Sequence, residues 1–255
     1  MRKAEIYSTR ELSAWLYEPP TVTEPNRLLI CVHGISRNAR QQQEAFSATA
    51  DELGVRLLAP EFTHERFPGY QRLDSGIGMT RADLALNRML LSLGSDLKVP
   101  RWTLDMFGYS GGAQFSHRYA LCYPGAVRSL ALAGAGWYTF PDHSVRYPRG
   151  LAGWPAVLPG PASIETLVRI PTLVLVGDRD TLRDASLRKG ERIDKQQGRH
   201  RLARAHKWVK RWRGLGHTNL ELCELEGGEH DFALCAEHTQ MLSSINYFLT
   251  RTEGI

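Results

Sequence analysis

The sequence predicts an α/β protein: one mostly parallel, twisted sheet of about eight strands with helices on both faces, and a small excursion after the sixth strand. Three observations carry that prediction. Short, nearly all-apolar runs recur at 27–32, 55–59, 127–133 and 172–176, the pattern of strands covered on both faces. Helix-compatible stretches separate them, as βαβ connections require. The residues able to do chemistry fall just past the ends of these runs, and a parallel sheet with right-handed crossovers gathers such positions at one edge.

Residues 5 to 18 hold two weak strand-like pieces, around Ile6-Tyr7 and Ala14-Trp15-Leu16-Tyr17, closed by Pro19-Pro20. They suit the antiparallel edge of a larger sheet. The run 27–32 ends in His33-Gly34-Ile35-Ser36-Arg37-Asn38, and a helix from about 39 to 53 is stopped by Gly54. Strand 55–59 is ended by Pro60, and 61–77 reads as a loop punctuated by Pro68, Gly69, Gly76 and, just beyond, Gly78. A helix from about 80 to 93 sets Leu84, Leu86, Met89, Leu90 and Leu93 on or near one face.

The apolar run from Trp102 breaks at Gly108-Tyr109-Ser110-Gly111-Gly112, and a helical stretch follows over 113–122. Strand 127–133 ends in Gly134-Ala135-Gly136-Trp137. From 137 to 168 the regularity fails. Five prolines stand there among Trp137, Tyr138, Phe140, Tyr147 and Trp154. That composition fits a cap or lid over a substrate and equally a surface loop with aromatics packed beneath it. Strand 172–176 then runs into Gly177-Asp178-Arg179-Asp180, and the alternating strand 219–225 runs into Gly227-Gly228-Glu229-His230. An amphipathic helix over about 233–249 completes a single domain spanning 1–255.

Composition bounds the function. Hydrophobic residues at 42% and charged residues at 23% are ordinary for a globular domain. The first ten residues are basic without an apolar core, and no run approaches the ~18 apolar residues of a membrane span, so a cytoplasmic protein is expected. Cys31, Cys122, Cys223 and Cys235 lack metal-like spacing and read as free thiols in a reducing compartment. The net charge of +5 is local in origin: residues 188–213 hold eleven Lys/Arg against Glu191 and Asp194. Within that basic helical insertion (181–216), Leu202, Ala205, Val209 and Trp212 recur at helical spacing. This predicts a helix laid on the body with its cations in water, rather than a nucleic-acid or membrane surface.

Serine hydroxyls stay protonated at neutral pH, so a nucleophilic serine needs a base, and the base an orienting carboxylate. The pattern G-x-S-x-G at 108–112, placed between a strand and a helix, has the context that gives it chemical meaning: a sharp turn exposes Ser110 Oγ before a helix N-terminus. Three strand ends supply suitable groups: Ser110, the Asp178/Asp180 pair, and His230. Of the nine histidines only His230 sits in a glycine-flanked loop directly after the last strand. His217 and His238 read as structural or solvated, His33 as ordering its loop, and Asp231 as a helix cap.

By these motifs, in the order Ser, Asp, His and covering roughly residues 27 to 250, the chain resembles the α/β-hydrolase superfamily, its serine-esterase branch in particular. The resemblance implies Ser110 as nucleophile and His230 as base. It also implies Asp180 as the acid closing a G-x-x-D turn, with Asp178 left as a turn residue capping local N–H groups and Asp184 a poorer third candidate. Backbone N–H donors for an oxyanion would come from Gly111 and Ile35, with Ser36 the alternative to Ile35. Tyr109, Trp137, Ser36 and Arg37 are candidate pocket residues, Arg37 reading either as an anion attractor or as a solvated loop arginine. The aromatic residues of 137–168 suggest an apolar or aromatic substrate group.

The expected activity is hydrolysis of an ester of a small acyl compound through an acyl-enzyme, without metal or organic cofactor, membrane span or nucleic-acid partner. Thioesterase, lactonase, peptidase or acyltransferase chemistry on the same triad is the nearest alternative. A non-catalytic ligand-binding protein on the same scaffold is the rival from another class.

Overall fold

In a computed structural model, which describes residues 3–73 and 80–252, the apolar runs become the strands of one eight-stranded sheet. Strands β1 (Lys3–Ser8) and β2 (Ser13–Glu18) pair antiparallel, and β2 lies antiparallel on β4 (Arg56–Glu61). The rest are parallel: β3 (Arg27–Val32), β5 (Thr103–Tyr109), β6 (Val127–Ala133), β7 (Thr172–Gly177) and β8 (Leu220–Leu225). The order across the sheet is β1-β2-β4-β3-β5-β6-β7-β8. The predicted glycines Gly76 and Gly78 lie outside the described residues.

Period-2 side-chain alternation divides the core in two. On β3, Leu28, Ile30 and Val32 face one cluster and Leu29 and Cys31 the other. Helix α1 (Ala39–Leu53) covers the second face through Phe46 and Ala50. Helix α2 (Ala82–Leu97) covers the first through Leu86, Met89 and Leu93, and α3 (Gly111–Cys122) joins it there through Phe115 and Tyr119. No helix among the described residues is long and apolar enough to cross a membrane, and the four cysteines are unpaired.

Several boundaries move for identifiable reasons. Helix α2 runs a turn past the predicted end, to a C-terminal Lys98 in the left-handed region (φ 57°). Strand β4 continues through Pro60, because its pairing with β3 stops at Leu58 and only β2 accompanies it further. Within 137–168 a single-turn helix, α4 (Ile164–Leu167), precedes β7. The single helix expected over 233–249 is two, α7 (Phe232–His238) and α8 (Met241–Arg251). They are separated where Thr239 Oγ1 donates to Cys235 O and accepts from Met241 N, a side-chain bond that competes with the helical ladder.

The basic segment departs most from expectation. It forms α5 (Glu191–Gln197) and α6 (Arg201–Arg213), and α6 does pack Ala205, Val209 and Trp212 inward. Its cations are not all in water, however. Arg201 and Arg204 are buried to 1% and 0% exposure, each held by aspartates (Arg201 by Asp180 and Asp184, Arg204 by Asp194). A buried guanidinium is tolerable only when its forked donors are matched by acceptors, and α6 begins where such acceptors converge.

Buried histidines set an acid limit on this fold. His33 Nε2 accepts from Phe62 N and its Nδ1–H donates to Gly34 O. His117 does the same between Thr139 N and Ala113 O. His217 is buried with Nδ1 unpartnered among the described residues. Burial lowers His33 and His217 to about 4, and His117 well below its ordinary 6.5. Unfolded chains take up these protons below pH ~6.5 and the native state does not, so stability present above 6.5 falls as pH drops toward 4. Each histidine costs about 1.4 kcal/mol by pH 5.5. The denaturant midpoint is therefore expected to drop clearly between pH 7 and 5.5, with net proton uptake on unfolding; a flat profile contradicts the burial argument.

Candidate active site

Ser110 sits in the sharp turn between β5 and α3, at φ 53° and ψ −108°. For a non-glycine residue this conformation stores roughly 1–3 kcal/mol of strain. The flanking glycines explain why the turn forms. A Cβ on Gly112 would lie 1.9 Å from Val32 O, and one on Gly108 2.4 Å from the Gly112 backbone; only glycine lets β3, β5 and α3 approach so closely. Ser110 N–H donates to Ala133 O at 2.7 Å, pinning the turn to β6.

Three side chains distant in sequence form one hydrogen-bonded line here. Ser110 Oγ is 3.0 Å from His230 Nε2, and His230 Nδ1 is 2.9 Å from Asp180 Oδ2. With Nδ1–H donated to the carboxylate, the Nε2 lone pair is left to accept the serine proton. Asp180 closes the turn after β7 through its N–H to Gly177 O and is 2% exposed. Asp178 is exposed, and the predicted capping by its carboxylate is absent among the described residues; its own N–H donates to Leu225 O instead. Asp231 accepts from Leu234 N at 2.9 Å as the cap of α7. The Tyr109 ring stacks on the imidazole with centroids 5.4 Å apart, fixing its plane.

Two backbone N–H groups adjoin Ser110. Those of Gly111 and Ile35 have no hydrogen-bond partner among the described residues, and Ile35 Cγ2 lies 3.2 Å from where a Gly111 Cβ would stand. The loop bearing Ile35 is braced by His33 and by Tyr70, whose hydroxyl donates to His33 O at 2.8 Å.

Ser110 lies at the junction of two cavities that share Ile35 and Ser186 as walls. The one on the His230 side, about 440 Å³, is lined by Ser36, Asn38, Tyr109 and Phe232. The other, about 230 Å³, is lined by Trp137, Gln71, Arg72, Gln114 and Arg188. A larger apolar cavity, about 750 Å³, lies between α2 and the start of β5 and includes none of these residues. Of segment 137–168 only Trp137 reaches the two cavities, whereas the second insertion contributes residues 185 to 188.

Arg37 is half-buried rather than a freely solvated loop arginine. Its guanidinium donates to Phe62 O and Phe67 O and lies over the Tyr70 ring, so it staples the loop and lines neither cavity. What sequence reasoning missed is Arg201. It bonds Asp180 Oδ1 at 3.2 Å, Asp184 at 2.7 Å and Ser186 Oγ at 2.5 Å. Asp184 therefore serves the arginine rather than His230, and that bond holds its carboxyl well below the usual range. The available signal was an arginine at the first turn of α6, the second helix after the acid loop.

No protein-family model and no curated protein matches the sequence. Solved structures do. Poly(aspartic acid) hydrolase-1 from Sphingomonas sp. KT-1 is 23% identical at a TM-score of 0.76, over 96% of this chain and 97% of that one. The poly(3-hydroxybutyrate) depolymerase LpqC from Bordetella parapertussis is 25% identical at 0.73, over 92% and 88%. An S-formylglutathione hydrolase from Agrobacterium tumefaciens is 13% identical at 0.60, over 99% and 95%.

Proposed function

We propose that this chain, a member of the α/β-hydrolase superfamily by its fold, is a serine hydrolase that cleaves a carboxylic ester through an acyl-enzyme. The observation that carries the reading is the line Asp180–His230–Ser110, with contacts of 2.9 and 3.0 Å. In this mechanism Ser110 Oγ attacks the ester carbonyl while His230 Nε2 takes its proton. Asp180 stabilises the imidazolium that results, and the N–H groups of Gly111 and Ile35 receive the oxyanion. His230 then returns the proton to the departing alcohol, and water, activated the same way, releases the acid. The strained Ser110 backbone is consistent with a nucleophile held in place before substrate arrives. Similarity to a polyester depolymerase at 25% identity agrees with an ester as the bond broken, while the poly(aspartic acid) hydrolase and S-formylglutathione hydrolase neighbours keep amide and thioester cleavage as the alternatives on the same triad.

A fluorophosphonate probe is expected to label the folded protein on the peptide containing Ser110, with labelling abolished in Ser110→Ala. An unlabelled folded protein would favour the non-catalytic binding alternative and end this reading.

A further inference from the structure

Among the described residues, the cavity on the Trp137 side of Ser110 is lined by two arginines and by no acidic side chain. Arg72 and Arg188 line it, and neither guanidinium has an ion pair or a side-chain hydrogen bond among the described residues. Arg188 lies over the Trp137 ring at 5.0 Å, and Arg118 over the same ring at 4.6 Å. Arg118 is wholly buried, yet its bonds go to neutral acceptors only, Thr139 Oγ1, Gln71 O and Gln114 O. Its Nη2 has no partner among the described residues. Burial lowers its pKa to about 10, and repulsion from Arg72 and Arg188 acts in the same sense.

The contrast with the rest of the molecule is what gives this weight. Arg27, Arg201 and Arg204, the other buried arginines, each face an aspartate. Arg118 lies behind the cavity wall, while the lining Arg188 is exposed and Arg72 half-buried. Among the described residues, an anion entering beside the nucleophile meets two guanidiniums free of competing acids and a third, buried charge behind Trp137.

Which part of the substrate carries that anion follows from His230. It must protonate the leaving oxygen, so the leaving group lies in the cavity His230 lines. The arginine cavity, which His230 does not line, takes the acyl portion. At about 230 Å³ it is smaller than the ~300 Å³ where drug-sized pockets begin, which suits a short chain. Planar guanidinium forks match a carboxylate bidentately.

We propose that this cavity is a carboxylate subsite and that the acyl group bears a second carboxylate, making the substrate a half-ester of a short dicarboxylic acid. The proposal rests on the serine-hydrolase reading of Ser110 and, for the acyl side, departs from the apolar or aromatic substrate group that the aromatic segment suggested.

The test compares monomethyl glutarate with methyl pentanoate, equal in acyl length, and measures glutarate binding to the Ser110→Ala protein by calorimetry. Native protein is expected to favour the anionic ester by about 10- to 100-fold in kcat/KM, the scale of a charge-assisted hydrogen bond. Arg188→Gln collapses that ratio toward one, Arg72→Gln lowers it, and Lys210→Gln, on the exposed side of α6, retains it. Glutarate binding to Ser110→Ala is lost when Arg188→Gln is added. Equal turnover of the two esters together with no glutarate binding overturns the subsite and leaves the hydrolase intact. Preference for O-pentanoylglycolate over monomethyl glutarate overturns the acyl-side assignment. If no ester is cleaved and Ser110 resists the fluorophosphonate, the hydrolase reading fails, and glutarate binding alone decides whether the anion site exists.

Discussion

Asp180→Asn is expected to lower kcat/KM for any ester substrate by about 10⁴ while the protein remains folded. The reason is a proton, not a missing contact. A carboxylate at Oδ2 can only accept, so His230 Nδ1, 2.9 Å away, must carry hydrogen and Nε2 must be free to take the serine proton. An asparagine amide turned toward the ring donates instead. Nδ1 then becomes the acceptor, hydrogen moves to Nε2, and the imidazole faces Ser110 Oγ, 3.0 Å away, with a proton already in place. In triads of this kind the exchange costs about 10⁴ in kcat, near 5.4 kcal/mol of barrier. The amide is close to isosteric, and Arg201 keeps Asp184 as a partner, so loss of activity without loss of fold is the diagnostic result. Asp184→Asn serves as the comparison. Asp184 touches Arg201 and Ser186 but not His230, so its effect on kcat should stay within about tenfold. A larger loss for Asp184→Asn than for Asp180→Asn would reassign the acid.

The contrast between these two aspartates shows where the sequence was informative. Strand identity was legible because buried parallel strands are nearly all apolar: 27–32 and 127–133 coincide with β3 and β6. Ser110 and His230 were legible because glycines mark the turns that aim them. The choice of Asp180 leaned on resemblance, since both aspartates stand in the same turn and only the fold reveals which side chain points inward. The arginines were not legible at all. Arg37, Arg118, Arg188 and Arg201 look alike in a sequence, yet one staples a loop, two lie over Trp137 and one grips the acid. An arginine's long stem lets its head reach partners many residues away, so periodicity locates its Cα and says little about its charge. Helix α6 is the clearest case: its apolar stripe was read correctly, and its two buried cations were assigned to water.

Arg201→Met carries the second large effect. Arg201 is 1% exposed and joins three acceptors that meet nowhere else: Asp180 Oδ1, the Asp184 carboxylate and Ser186 Oγ. Asp184 also accepts from Ser186 N and Leu187 N, so the arginine ties the acid to the very turn that walls both cavities. Methionine fills similar volume without charge and leaves the buried Asp180 with His230 alone. Removing one member of a buried ion pair costs about 3–5 kcal/mol, to be read as a lowered denaturant midpoint at unchanged m-value. If stability were all that Arg201 supplied, enzyme assayed where the variant is still folded would show native kinetics. As a positioning residue, it should instead affect kcat more than KM for small neutral esters, because the acid loses the bond that fixes its Oδ1 and with it the aim of the imidazole. Arg201→Lys separates the two roles. It retains charge for Asp180 but cannot span three acceptors with one ammonium, so it should recover stability further than it recovers kcat. Native kcat in folded Arg201→Met would reduce this arginine to scaffolding.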